Sequence, residues 1–151
     1  MKVIRIIAAI IVFVSMAFFS ACSEEKTASI EGNEDIVAVL QKLPQCLKTP
    51  DTVNEIYTTD AISIRITHSM DLSEHKGLQE IRNLKRDYGK NFLWKNLSIK
   101  SIEKEADIAH VVYQFTSESV ITDAEVYTLK CSAEMVKDGQ KWKLKKEKVH
   151  E

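Results

Sequence analysis

The sequence predicts an α+β fold in which N-terminal helices pack on an antiparallel sheet, and three observations carry that reading. Apolar residues recur at helical spacing over 36–47 and again over 78–88. From residue 92 onward a period of two takes over and runs almost to the C-terminus. Within that second half, Asp138-Gly139 separates two alternating runs and is the strongest hairpin signal in the chain.

The first 21 residues stand apart from this domain. They carry Lys2 and Arg5, no acid, and an apolar run from Ile6 to Phe19 that ends in Phe19-Ser20-Ala21-Cys22. A basic head, an apolar middle and small residues before a cut describe a secretory signal peptide. The alternatives are a membrane-spanning anchor, for which about 20 apolar residues are wanted, and plain secretion with Cys22 as a bystander. The cysteine directly after Ser20-Ala21 resembles the lipobox of bacterial lipoproteins, although Phe19 stands where that family more often has Leu. The resemblance implies cleavage before Cys22, a diacylglycerol on its thiol and an extracytoplasmic protein held to the cell membrane or the outer membrane. More than one acyl chain is expected, since each buried methylene is worth about 0.8 kcal/mol and a single chain holds only marginally.

Removing the leader takes away two cations and no acid, so the net charge falls from −1 to −3. A mildly acidic domain lacks the basic excess that nucleic-acid binding needs. Residues 22–32 read as the lipidated cysteine and a flexible tether, and 33–151 as a single domain large enough for one core.

In that domain Ile36, Val39, Leu40, Leu43 and Leu47 share a stripe with Cys46 beside it, capped by Asn33-Glu34-Asp35. Pro44 is expected to kink or end this helix. Thr52 to Tyr57 forms a short second helix, and Ala61 to His68 a strand with Ile62, Ile64 and Ile66 facing inward. Ser69 to Lys76 reads as loop. Leu78, Ile81, Leu84, Lys85 and Tyr88 give a long helix stopped by Gly89. Four strands follow: Phe92 to Glu103, Ile108 to Ile121, Glu125 to Lys137 and Trp142 to Val149.

Helix, short helix, strand, helix and four strands is an order that resembles the nuclear transport factor 2-like superfamily, shared with ketosteroid isomerases and small polyketide cyclases. Local echoes are Tyr57-Thr58-Thr59-Asp60-Ala61, Gly77-Leu78-Gln79-Glu80-Ile81 and Asp138-Gly139-Gln140-Lys141-Trp142. The resemblance covers roughly 33–149 and implies a cone, its curved sheet wrapping the long helix around a pocket at the wide end. A cystatin-like sheet with one helix is the alternative.

Family enzymes place an Asp or His in that pocket for proton transfer. The inward stripes expected here hold no carboxylate, and Glu125 falls at a rim. The candidate pocket is therefore Ile64, His68, Tyr113 and Tyr127, with His68 as the candidate base and the tyrosines as donors. The bland alternative makes His68 an exposed strand end and the tyrosines core. No ligand spacing for a metal appears, and no phosphate loop, nucleophile motif or cofactor signature. The basic tail, Lys141 to Lys148, reads as a solvated strand face or as a contact for anionic lipid or cell-wall polymer. Cys46 and Cys131 fall on core faces in an oxidising compartment, so they are either a disulfide or two buried thiols.

Function stays open between two classes. One is a tethered, non-enzymatic module that binds a small apolar ligand, or pairs through its sheet with itself or an envelope protein. The other is an isomerase, dehydratase or hydrolase using His68.

Overall fold

The structure, a computed structural model, describes residues 31–121 and 126–151. The leader, Cys22, most of the tether, the turn at 122–123 and Glu125 lie outside the described residues. Helices come first: α1 (Glu34–Gln41), α2 (Leu43–Lys48), a 3-10 turn (Pro50–Thr52) and α3 (Val53–Ile56). Strands β1 (Tyr57–Ile66) and β2 (Leu72–Lys76) follow, then the long helix α4 (Gly77–Gly89). The chain ends in β3 (Phe92–Glu105), β4 (Ile108–Ser119), β5 (Val126–Asp138) and β6 (Lys141–His150). The six strands form one curved, unclosed sheet in the order β2-β1-β6-β5-β4-β3, antiparallel throughout except for the parallel pair β1–β6.

Pro44 divides the first helix as its chemistry requires. It cannot donate to a continuing ladder, but it is tolerated in a first turn, and it stands in the opening turn of α2. Ile36, Leu40, Leu43, Cys46 and Leu47 are all buried, so the predicted stripe survives the break. The Trp142 indole N–H donates to Asp35 Oδ2 at 2.7 Å and ties the last strand to the first turn of α1. Gly139, with φ of +65°, makes the β5–β6 turn.

Three local expectations need correction. Residues 69–76 are not all loop, because Leu72–Lys76 pair antiparallel with Ile62–Ile66. That strand is polar because it is a short sheet edge with little to bury. Gly89 does not stop α4 through a left-handed turn; it belongs to the helix. It is glycine because α2 crosses there, and a Cβ would lie 2.2 Å from the Leu47 carbonyl oxygen.

The third correction bears on the site. In β1 the isoleucines face outward and are half-buried, while Ala61 and Ser63, which alternate with them, are fully buried. A register shift between Tyr57 and Ile62 sets this phase. Ile62, Ile64 and Ile66 pair with Lys146, Lys148 and His150 of β6 on the outer face. Alternation located the strand but named the wrong side, because what lies inside opposite β1 is polar.

Candidate functional site

The concave side of the sheet is closed by α4, whose Ile81, Lys85 and Tyr88 fall at i, i+4 and i+7 on one buried face. Lys85 is 2 % exposed. Its partner comes from β6. Trp142 and Leu144 point inward, and strict alternation would bring Lys146 and Lys148 in after them. A bulge opposite Glu134 and Met135 inserts one residue and reverses the phase, so Glu147 and Val149 turn inward instead. Glu147 is fully buried.

The Glu147 carboxylate collects four donors from three elements, α4, β1 and β4. Lys85 Nζ donates to Oε2 at 2.9 Å, Tyr57 Oη to Oε2 at 2.7 Å, and Tyr113 Oη to Oε1 at 2.9 Å. Ser63 Oγ adds a longer bond to Oε2 at 3.3 Å. The ammonium of Lys85 also lies 4.4 Å from the centroid of Trp94, a face that attracts cations. Around this centre Tyr88 stacks on Phe92 and Trp94 on Phe115, and the Tyr88 hydroxyl meets Ser117 Oγ at 2.9 Å.

Burial alone would push the Glu147 carboxyl up, but the Lys85 charge and the tyrosine hydroxyls outweigh it and hold it below the usual carboxylate range. Burial and the Glu147 charge raise Tyr57 and Tyr113 well above the ordinary phenol range, so both remain donors. A carboxyl depressed in the folded state contributes stability above its unfolded value, near 4.3, and loses it as pH falls through the lower folded value. Urea midpoints are therefore expected to drop from pH 5 toward pH 2. Glu147→Gln should flatten that decline; an unchanged slope in the variant would remove Glu147 from the account.

Little space remains inside. The cavity beside the ion pair, lined by Ser63, Lys85, Tyr88 and Trp94, measures about 20 Å³, room for one water. Arg65 closes it from outside, its guanidinium 4.1 Å from the centroid of Tyr88 and paired with Glu151.

The four candidate pocket residues are not brought together. Tyr113 is buried in the centre and donates to Glu147. Ile64 faces the other side of the sheet. His68 is exposed beyond the end of β1, where its ring lies 5.6 Å from that of Tyr127, itself half-buried. His68 thus holds no position from which it could serve the interior as a base. The residues that do form the centre, Lys85, Glu147, Tyr57 and Ser63, were missed from the sequence. One signal was present: Lys85 occupies a position of the apolar stripe, where a cation needs an internal anion.

Cys46 and Cys131 are both buried free thiols, and no disulfide joins them. Burial pushes the Cys46 thiol up to about 11 and the Cys131 thiol higher still, which makes both poor nucleophiles. In a chain beginning at Ser23, a thiol reagent at neutral pH should find neither until the protein is denatured, and then both. Reaction of the native protein within minutes would contradict this burial. Among the described residues, no group of three His, Cys, Asp or Glu side chains could hold a metal ion, and no helix is long and apolar enough to cross a membrane.

This arrangement of helices on a six-stranded sheet is the nuclear transport factor 2-like fold. The structure superposes on a nuclear transport factor 2-like protein of unknown function from Silicibacter pomeroyi with a TM-score of 0.59, covering 79% of this chain and 94% of that one at 11% identity. A ketosteroid isomerase-like protein from Erwinia carotovora gives 0.60, with 78% and 91% covered at 14% identity. A nuclear transport factor 2-like protein of unknown function from Shewanella baltica gives 0.59, with 82% and 96% covered at 13% identity. At such identities the likeness is one of fold. No protein-family model and no curated protein matches the sequence.

Proposed function

We propose that this chain is a lipid-anchored extracytoplasmic binding module that uses the outside of its cone and has given the inside over to structure. The observation that carries the reading is the filled interior. Where a ligand pocket would open, Lys85 and Glu147 pair and the aromatic side chains close around them, leaving about 20 Å³. Cavities that hold small ligands run to several hundred Å³. The Glu147 carboxylate is fully buried with four protein donors on it, and His68 is outside. The anchor rests on the leader ending at Cys22.

Membrane fractionation tests the address. The full chain should sediment with membranes and carry a cleaved amino terminus at Cys22 with the mass of its acyl groups. Cys22→Ala should lose that mass and should not be processed as a lipoprotein. An unmodified Cys22 in the membrane fraction, with the leader still attached, would sink the lipid anchor and leave a spanning helix in its place.

A further inference from the structure

The outer face of the sheet has short side chains at its centre and charges around them. Ser101, Val112 and Ser132 stand in one row across β3, β4 and β5, and two open hollows of about 290 and 640 Å³ meet at Val112 and Ser132. Ile108 and Val112 of β4 are each 45% exposed on this face. Acids and cations are mixed on it, Glu103, Glu134 and Glu151 among Lys130, Lys146 and Lys148. Such a surface matches no ligand of a single sign. Register shows how the charges are ordered. One row across β3 to β6 reads Glu103, His110, Glu134, Lys146, with an acid at one margin and a cation at the other. Glu103 and Lys146 are both exposed, and among the described residues neither has an opposite charge within ion-pair distance.

We propose that this face pairs with a second copy of the chain about a two-fold axis that runs along the strands, between β4 and β5. Such an axis lays β3 over β6 of the other copy and β4 over its β5, aligned as face-to-face sheets are. Each Glu103 then meets Lys146 of the other copy, and each His110 meets Glu134. In the neighbouring rows Ile108 meets Val136, and Val112 meets Ser132. Lys130 and Lys148 come over Gln114 and Ser101, so no lysine faces a lysine. The two-fold makes every one of these contacts twice.

The same axis sends both anchors one way. The Gly32 carbonyl accepts a bond from Lys104 at the β3–β4 turn, so the tether leaves from that end of the sheet. A two-fold along the strands keeps both such ends on one side, where both tethers run to one bilayer. An axis across the strands would put Lys146 over His150 and turn the second copy end for end. Its tether would then start about 40 Å farther away, the length of the 12-residue β4, while residues 23–32 span at most about 36 Å. Moving the axis to the β5–β6 line would put Lys130 over His150. The paired patch, four strands wide, measures roughly 19 by 27 Å on each copy. That is the small end for a specific pair, so a micromolar Kd is expected in solution. Confinement of both anchors to one membrane then raises the effective concentration. The pairing names the partner of the outer face proposed above; only its orientation toward the bilayer rests on the lipid anchor.

The test uses the chain from Ser23, since every described helix, strand and core residue lies after it. Sedimentation equilibrium should find a reversible dimer that weakens as salt rises. Glu103→Lys and Lys146→Glu should each weaken it at least tenfold, with Tm unchanged at concentrations where the wild type is monomeric. An equimolar mixture of the two variants should pair again within threefold of the wild type, and so should the chain carrying both changes. That recovery cannot arise inside one chain, because β3 and β6 lie three strands apart, about 14 Å. Lys48→Glu, an equal charge change on the exposed end of α2, should stay within twofold. Equal loss in Lys48→Glu would reduce the effect to net charge and overturn the pairing. Single losses with no recovery on mixing would overturn the axis. A chain that stays monomeric at millimolar concentration would overturn the second copy. Binding of that monomer to phosphatidylglycerol vesicles, lost in Lys146→Glu, would give the face to a membrane instead. Failure of the anchor shows separately, in fractionation of the full chain.

Discussion

Replacing Glu147 with Ala is expected to destabilise the domain by about 3–5 kcal/mol, the range found when one member of a buried ion pair is removed. The reason is what stays behind. Lys85 would remain 2 % exposed with no anion, and the hydroxyls of Tyr57 and Tyr113 would lose their acceptor. Lys85→Met should cost less than Glu147→Ala, because the tyrosines still donate to the orphaned carboxylate and the Met stem fills the space beside Trp94. The double variant Lys85→Met with Glu147→Leu should recover much of either loss, since hydrophobic replacement of a whole pair is often near neutral. Full recovery is not expected, because two buried hydroxyls still lack an acceptor at roughly 1–3 kcal/mol each. Denaturant midpoints of the three variants decide the matter. Single losses below about 1 kcal/mol, or strictly additive ones, would mean that the pair is not the buried centre described.

Gly89→Ala is the second large effect, and there two physical terms oppose each other. Alanine is the better helix former by about 1 kcal/mol, so the helix alone predicts a gain. The new Cβ, however, would stand 2.2 Å from the Leu47 carbonyl oxygen and 2.9 Å from its carbon. Those are backbone atoms, so no rotamer change relieves the overlap, and α2 must move off α4. Overpacking of this kind costs about 1–3 kcal/mol, occasionally more, and the closeness of the contact puts it at the upper end. A net loss of about 2 kcal/mol and a Tm lower by roughly 10 °C follow. A Tm that rises would show that the two helices are not in contact at this point.

The sequence made the scaffold readable and the centre unreadable, for reasons that lie in particular residues. Ile36, Leu40, Leu43 and Leu47 repeat at helical spacing because one helical face is apolar and the other is wet. Strands β4 and β5 alternate cleanly because each is flanked on both sides in the sheet and buries one face. Asp138-Gly139 marks its own turn through the left-handed φ of glycine. What escaped was phase. One bulge in β6 turned Glu147 inward from the middle of a basic tail, where it looked like one more solvated charge. One shift at the start of β1 sent three isoleucines out and Ser63 in. Bulges carry little local signature, and a one-residue slip moves every later side chain to the other face. The two errors belong together, since Ser63 is inside to meet Glu147.

That pairing also accounts for the candidate pocket dissolving. The sequence shows no inward acid because Glu147 stands in a basic tail that reads as a solvated strand face, and His68 is the candidate base because it shares parity with Ile62, Ile64 and Ile66. In the structure the acid exists, yet Lys85, Tyr57 and Tyr113 engage it, and the space beside it is the size of a water.

Native mass spectrometry of the chain from Ser23, purified from a periplasm, tests the filled interior most directly. The account predicts the mass of the polypeptide alone, for wild type and for Arg65→Ala, whose outer closure is removed. A small molecule retained in either, and lost in Lys85→Met with Glu147→Leu, would contradict it and make the ion pair the floor of a ligand site.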